Sequence, residues 1–161
     1  MHPDYLLGHS IGEWSAAAFA GVLSLEDAAK VVCARGRLMQ ACQSDGWMAS
    51  IQATEPEFRE LCVDIEGVVD IAAFNEPSQL TVSGDQSAVE AVIEKIEAAG
   101  KKAKRLQVSH AFHSAHMDGM LTDFEEIAQS CTYRPAMIPV VSNITGRLAT
   151  GDELVTPQYW V

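Results

Sequence analysis

Hydrophobic positions change their period several times along this chain, and each change marks a predicted element. Tyr5, Leu6 and Leu7 form a short apolar strand that runs into Gly8. From Gly12 to about Ala20, GEWSAAAFA reads as an alanine-rich helix, with Glu13 in the first turn, where the helix dipole favours a carboxylate. A second helix is predicted within GVLSLEDAAKVVCARGRLMQACQ. Ser24 is a good N-cap there, and Asp27 stands at the third helical position, a carboxylate variant of the capping box. Val31, Val32, Ala34 and Leu38 supply apolar positions at mixed helical spacing, while Arg35 and Arg37, two residues apart, fall on different faces.

From Trp47 the texture changes. MASIQA alternates as a strand, EPEFRELCVDI is an amphipathic helix, and VVDIAAF is a second strand. NEPSQ is a turn and LTVSG a third strand. SAVEAVIEKIEAAG carries Val89, Val92, Ile93 and Ile96 at helical spacing and closes on Gly100; KKAKRLQV is a fourth strand. The order β-α-β-β-α-β, from about Trp47 to Val108, is the ferredoxin-like pattern. Helix resumes across MDGMLTDFEEIAQS, and the unbroken apolar run MIPVVSN suits a parallel strand covered on both faces. The serine turn and the residues after the insertion are thus expected to flank a subdomain, an arrangement whose clefts bind substrates.

Composition narrows the class. The 161 residues suffice for one domain, or one with a small insertion, and a hydrophobic content of 48% excludes a disordered chain. No apolar stretch approaches the roughly 20 residues of a membrane span and no secretory leader is visible, so a soluble, cytoplasmic protein is expected. The net charge of −11, from 11 basic and 22 acidic residues, argues against nucleic acid or an anionic membrane as partner. An anionic ligand must then be held by a local cation. The one basic run, Lys101, Lys102, Lys104 and Arg105, reads as a strand edge protected by lysines, or as a dock for an acidic partner. Cys33, Cys42, Cys62 and Cys131 contain no C-x-x-C pair and read as small buried hydrophobes in a reducing compartment.

Ser10 lies between Gly8 and Gly12, after a strand and before a helix, the setting that lifts G-x-S-x-G above a chance match. Both glycines would let the chain turn sharply and the helix approach closely. The Ile11 N–H would then point, with the helix N-terminus behind it, to where an oxyanion forms. A serine N-cap in a glycine-rich turn fits the same letters. A serine nucleophile needs a base. The histidines are His2, His9, His110, His113 and His116. His9 adjoins the serine and would point away from it; the last three share VSHAFHSAH at the exit of the insertion. That spacing suits a metal only on a helix, whereas the segment begins as a strand without Asp or Cys neighbours, so no metal is expected.

GHSIGEWSAA, ARGRLMQ and VSHAFHS, in that order and with NEPSQLTVSG and TPQYWV, resemble the acyltransferase family. Its members are the malonyl-CoA:acyl carrier protein transacylases and the acyltransferase domains of modular polyketide synthases. Position by position, the resemblance implies Ser10 as nucleophile, His113 as general base and Arg35 as the group that binds the substrate carboxylate. A guanidinium fork holds a carboxylate through two parallel bonds, which lysine cannot reproduce. In similar domains the form HAFH, His110 to His113, accompanies malonyl units, and a tyrosine-alanine-serine-histidine form accompanies methylmalonyl. Phe112 would clash with an extra methyl, worth about 1–3 kcal/mol. Ile11, in place of the glutamine common in methylmalonyl domains, points the same way.

The fold so implied is α/β: a partial α/β-hydrolase-like acyltransferase core over residues 1–46 and 109–161, incomplete at both ends, with the inserted ferredoxin-like (βαββαβ) subdomain over 47–108. The implied reaction moves malonyl from malonyl-CoA to the phosphopantetheine thiol of an acyl carrier protein through an acyl-serine, in fatty-acid or polyketide biosynthesis. No bound cofactor is expected. The implied partners are malonyl-CoA, the carrier protein and possible flanking domains of a multidomain synthase. The family's upstream glycine-glutamine-glycine segment, which supplies an oxyanion donor, is not among these residues, so robust turnover from them alone is not expected. Similar enzymes orient the histidine with a backbone carbonyl, here expected around GDELVTP. Two other readings stay open: a serine hydrolase or thioesterase using Ser10 and His113, and a non-catalytic fragment that docks carrier protein.

Overall fold

The computed structural model describes residues 3–161, so His2 lies outside the described residues. In chain order it contains α1 (Ile11–Phe19), α2 (Leu25–Ala41), β1 (Gly46–Ile51), α3 (Glu55–Leu61), β2 (Val69–Glu76), β3 (Gln79–Asp85), α4 (Gln86–Ala98), β4 (Ala103–Arg105) and α5 (Leu121–Gln129). Short 3-10 turns occupy Ala115–Met120, Glu153–Val155 and Pro157–Trp160. The fold mixes helices with an antiparallel sheet. By contacts the chain divides into two compact units, one running to Leu38 and resuming over Leu121–Val161, the other Met39–Met120.

The second unit is built on a four-stranded sheet of order β2-β3-β1-β4, antiparallel at every pairing. The register sets Ala49 opposite Val82 and Ile51 opposite Leu80. Alternation along the strands puts these four on one face. Phe58 of α3 and Val89, Val92 and Ile96 of α4 complete that buried cluster. Helix α3 starts in a capping box, whose T-x-x-E pattern stands in the sequence at Thr54 to Glu57. The Thr54 hydroxyl accepts from the Glu57 N–H at 3.4 Å, and the Glu57 carboxylate accepts from the Thr54 N–H at 2.9 Å. Helix α4 ends before Gly100, whose φ of +73° suits glycine. β4 stops at Arg105, short of the predicted Val108, and forms a sheet edge. Just before it Lys101 pairs with Glu57 at 2.6 Å, and on it the Arg105 guanidinium stacks 3.4 Å from the Trp47 ring centre.

In the first unit Trp14 of α1 is the packing hub. It meets Phe124 of α5 edge-on at 6.1 Å and Trp160 at 4.4 Å, while the Trp160 indole N–H donates to the Leu154 carbonyl at 3.0 Å. Ser24 caps α2 as expected, accepting from the Asp27 N–H at 3.0 Å. The predicted strands YLL and MIPVVSN shrink to isolated bridges, a parallel one between Leu6 and Val140 and an antiparallel one between Val141 and Leu148. The reason is local. Past Leu7 the chain bends at Gly8, Pro139 has no N–H to offer, and past Val141 the chain curls back so that Ser142 N–H donates to the Arg147 carbonyl. The expected helix over MDGMLTDFEEIAQS is a 3-10 turn followed by α5. All four cysteines are free, but only Cys131 is buried; Cys33 is exposed, since α2 buries Ala28, Val31 and Ala34 instead.

Candidate active site

The bend between Leu7 and α1 is built around Ser10, which takes φ 50° and ψ −116°. A non-glycine residue in such a conformation costs of the order of 1–3 kcal/mol and persists only when its surroundings hold it. Here the holder is Asn143. Its Oδ1 accepts from the Ser10 N–H at 3.1 Å, its Nδ2 donates to the Gly8 carbonyl at 2.7 Å, and its own backbone N–H donates to Glu13 Oε1 at 2.9 Å. Three bonds at a net of about 0.5–1.5 kcal/mol each match the strain in size. Gly8 is demanded by space. A Cβ there would lie 2.1 Å from the carbonyl carbon and oxygen of Gly12. Gly12 is not: a Cβ added to it meets nothing within 4 Å, so the expectation that both glycines serve close approach holds for Gly8 alone.

At the start of α1 the Gly12 N–H donates to the His9 carbonyl at 2.9 Å and the Glu13 N–H to the Ser10 carbonyl at 3.0 Å. No acceptor among the described residues takes the Ile11 N–H. That donor lies at a helix N-terminus beside Ser10. Glu13, read from sequence as a dipole partner, is instead a buried carboxylate, 7% exposed. The Tyr159 hydroxyl hydrogen-bonds both Glu13 Oε1 and, at 2.8 Å, Ser142 Oγ. Having one proton, it donates to the carboxylate and accepts from the serine. Burial, and then the bond to Glu13, push the Tyr159 hydroxyl far above its usual range, so it stays protonated.

Arg35 sits on α2 one turn beyond Val31 and on the side of Ala28, which leaves it half-buried, whereas Arg37 is exposed. Burial pulls its guanidinium below the usual value, though an arginine stays charged. No carboxylate among the described residues pairs with it. A desolvated cation without a partner is costly, and a bound anion relieves it.

The other predicted site residues lie in the second unit, in the segment after β4. His113 is exposed and has φ 59°; it and Ser10 are the two non-glycine residues with positive φ among the described residues. The Ser114 hydroxyl closes the turn by donating to the Ala111 carbonyl at 2.7 Å, and the Ala115 N–H donates to Asp70 at 3.0 Å. His116 Nε2 bonds Asp85 at 2.8 Å. Asp85 also accepts from the Val68 N–H at 2.8 Å; that bond first, then His116, holds its carboxyl below the usual range. His110 is fully buried, with Nδ1 on the Ser109 hydroxyl at 2.8 Å and its ring 5.7 Å from that of half-buried Phe112. The three histidines thus have separate surroundings, and no group of three metal-ligating side chains occurs among the described residues.

Ser10, Ile11 and Arg35 therefore share the first unit, and His110, Phe112 and His113 the second. Sequence reasoning missed Asn143, Tyr159 and the buried role of Glu13. An Asn at the end of an apolar run carries no mark that it bonds a residue 133 positions away.

The chain is thus mixed α/β, with a strained serine at a helix start and a half-buried arginine on the next helix. The chain belongs to the acyl transferase domain family, whose model matches residues 1–161. It is 50% identical over 159 residues to the spectinabilin polyketide synthase system protein NorB of Streptomyces orinoci, covering 99% of this chain and 7% of that protein. It is 49% identical over 160 residues to mycoketide-CoA synthase of Mycobacterium tuberculosis, covering 99% and 4%. Among solved structures, the acyltransferase domain from the second module of the salinomycin polyketide synthase superposes with a TM-score of 0.91 at 46% identity, over 99% of this chain and 37% of that one. FabD from Acinetobacter baumannii does so at 0.86 and 34% identity, over 94% and 50%. The chain thus spans a small part of its curated relatives and half or less of these two solved structures. No helix among the described residues is long and apolar enough to cross a membrane.

Proposed function

We propose that this chain carries the acyl-transfer centre of a polyketide or fatty-acid synthase, moving malonyl from malonyl-CoA to the phosphopantetheine thiol of an acyl carrier protein in the cytoplasm. Ser10 Oγ attacks the thioester carbonyl while His113 takes its proton. The oxyanion is received by the Ile11 N–H, a kind of donor worth roughly 10²–10³ in rate. As the C–S bond breaks, His113 returns the proton to the departing CoA thiolate, leaving malonyl on Ser10. His113 then takes the proton of the carrier thiol, whose sulfur attacks the acyl-serine, and Ser10 leaves reprotonated. Arg35 holds the malonyl carboxylate, and Phe112, backed by His110, excludes a methyl at the α-carbon. No bound cofactor enters the chemistry. In this reading the strand order β2-β3-β1-β4 is that of a ferredoxin-like subdomain over 47–108, inserted in an α/β-hydrolase-like core over 1–46 and 109–161.

The observation that carries the proposal is Ser10 itself: φ 50° at the first bend of α1, with the neighbouring Ile11 N–H untaken among the described residues. A serine serving only as an N-cap adopts extended backbone and its side-chain oxygen accepts from a helix N–H, whereas Ser10 makes no side-chain cap bond. The test is intact-mass and peptide mass spectrometry of the complete protein after incubation with malonyl-CoA. A malonyl adduct on Ser10 is expected, absent in Ser10→Ala and slow to form in His113→Ala. An adduct that persists in Ser10→Ala refutes the assignment.

A further inference from the structure

Resting on Ser10 as nucleophile, we propose that Asn143 is its positioning residue, setting the bend from outside the helix that carries it. Asn143 bonds three points along the bend: the carbonyl of Gly8 before the serine, the N–H of Ser10 itself, and the carboxylate of Glu13 one turn later. The direction of its amide is fixed by chemistry. Oδ1 faces an N–H and Nδ2 faces a carbonyl, and the flipped amide would set donor against donor and acceptor against acceptor. The Ser10 N–H has no helical acceptor, because Ser10 precedes the first residue of α1. Without Asn143 that N–H and the Gly8 carbonyl would turn to water, and the left-handed conformation would lose what opposes its strain.

Asn143 is itself held. The Ser142 hydroxyl oxygen accepts from the N–H groups of Ile144 at 3.2 Å and Thr145 at 3.3 Å, and the Gly146 N–H returns to the Ser142 carbonyl at 2.9 Å. The Tyr159 hydroxyl then ties Ser142 to Glu13. The bend and the loop after Val141 therefore form one hydrogen-bonded body, and half-buried Ser10 is part of it. Asn143 touches no reacting atom in this scheme; it acts through the backbone of Ser10.

Single-turnover malonylation of Ser10 in the complete protein tests this, together with sulfonylation by phenylmethanesulfonyl fluoride, which needs the same hydroxyl but neither Arg35 nor CoA. Asn143→Ala is expected to slow both about 10²-fold, the cost of a misplaced nucleophile, with KM for malonyl-CoA within about twofold. Asn143→Asp keeps the size and the acceptor for the Ser10 N–H but loses the donor to Gly8. It should be slow in both reactions too, and serves if the alanine variant does not fold. Wild-type rates in a folded variant, or a change confined to KM, overturn the role of Asn143. A reagent found on another residue in the unsubstituted protein overturns Ser10 instead, so the two failures are distinguishable.

Discussion

Gly8 and Gly12 bracket the serine symmetrically in sequence and asymmetrically in space, so alanine at each should have opposite consequences. At Gly8 the new methyl would sit 2.1 Å from the Gly12 carbonyl group and 2.3 Å from the Glu13 nitrogen, where ordinary contact needs 3.4 Å or more. The clashing atoms are backbone, so the first turn of α1 must withdraw by more than about 1 Å. Overpacking that side chains can relieve costs about 1–3 kcal/mol, and the rigid neighbours here put Gly8→Ala at or beyond the upper end. The same shift pulls the Gly8 carbonyl from Asn143 and displaces Ser10, worth roughly 10²-fold in acylation. At Gly12 a methyl meets nothing, and replacing a helical glycine by alanine gains about 0.4–1 kcal/mol by narrowing the unfolded ensemble. Guanidinium denaturation of the two variants beside the unsubstituted protein reads both signs at once. Equal destabilisation by the two alanines, or a neutral Gly8→Ala, would refute the close approach at Gly8 and with it the shape of the bend.

Arg35→Ala should lower malonyl loading about 10–100-fold, the worth of one charge-assisted bond at about 1.5–3 kcal/mol, while acetyl loading holds or rises; unchanged malonyl preference in a competition assay would remove Arg35 from the carboxylate site. Phe112→Ser should raise methylmalonyl over malonyl acceptance by up to about 10²-fold, measured as the ratio of adducts from mixed acyl-CoAs. No shift in that ratio would free Phe112 of the selectivity role. In the second unit, the Lys101 side chain first, then the Thr54 cap, lower the Glu57 carboxyl from 4.5 to about 2. A depressed carboxyl contributes its stabilisation fully above 4.5 and loses it as pH falls towards 2. Glu57→Gln should therefore flatten that part of the stability-against-pH curve, and an unchanged acid limb would show the pair to be inert.

The sequence disclosed most of what depends on neighbours in the chain. Val89, Val92 and Ile96 declare α4 by spacing alone, and Ala49 with Ile51 and Leu80 with Val82, at period two, mark the sheet face that packs against it. The same logic overstated MIPVVSN. Apolar letters say that Val140 is buried, which it is, but not that a neighbour runs alongside for long enough to make a ladder. At the candidate site, the glycine-flanked turn between strand and helix singled out Ser10, whereas Arg35 and His113 were implied by the resemblance to the acyltransferase family. The parts that fix them were hidden for a physical reason. Asn143 and Tyr159 bond groups 130 or more positions away, and a hydrogen bond leaves no periodic trace. Glu13 is the clearest case, since a carboxylate in the first turn of a helix looks the same on paper whether it faces water or a tyrosine.

The two strained residues are held by different means, and the magnitudes rank what each can lose. Ser10 depends on a partner far along the chain. Beside His113, the Ser114 hydroxyl bonds the Ala111 carbonyl, with the Ala115 N–H on Asp70 as a second tie. Ser114 is 7% exposed and Ala111 0%, so Ser114→Ala leaves a buried carbonyl unpaired. That costs about 1–3 kcal/mol, as much as the strain the bond opposes. The Asp70 tie lies in solvent, where water replaces the lost acceptor, and its net worth is about 0.5–1.5 kcal/mol or less. Ser114→Ala should therefore release the His113 turn and slow both malonyl steps, while Asp70→Ala leaves them within a few-fold. The amide exchange rate of His113 gives the ranking without reference to turnover. Faster exchange in Asp70→Ala than in Ser114→Ala would mean that the sheet, and not the serine, holds the turn.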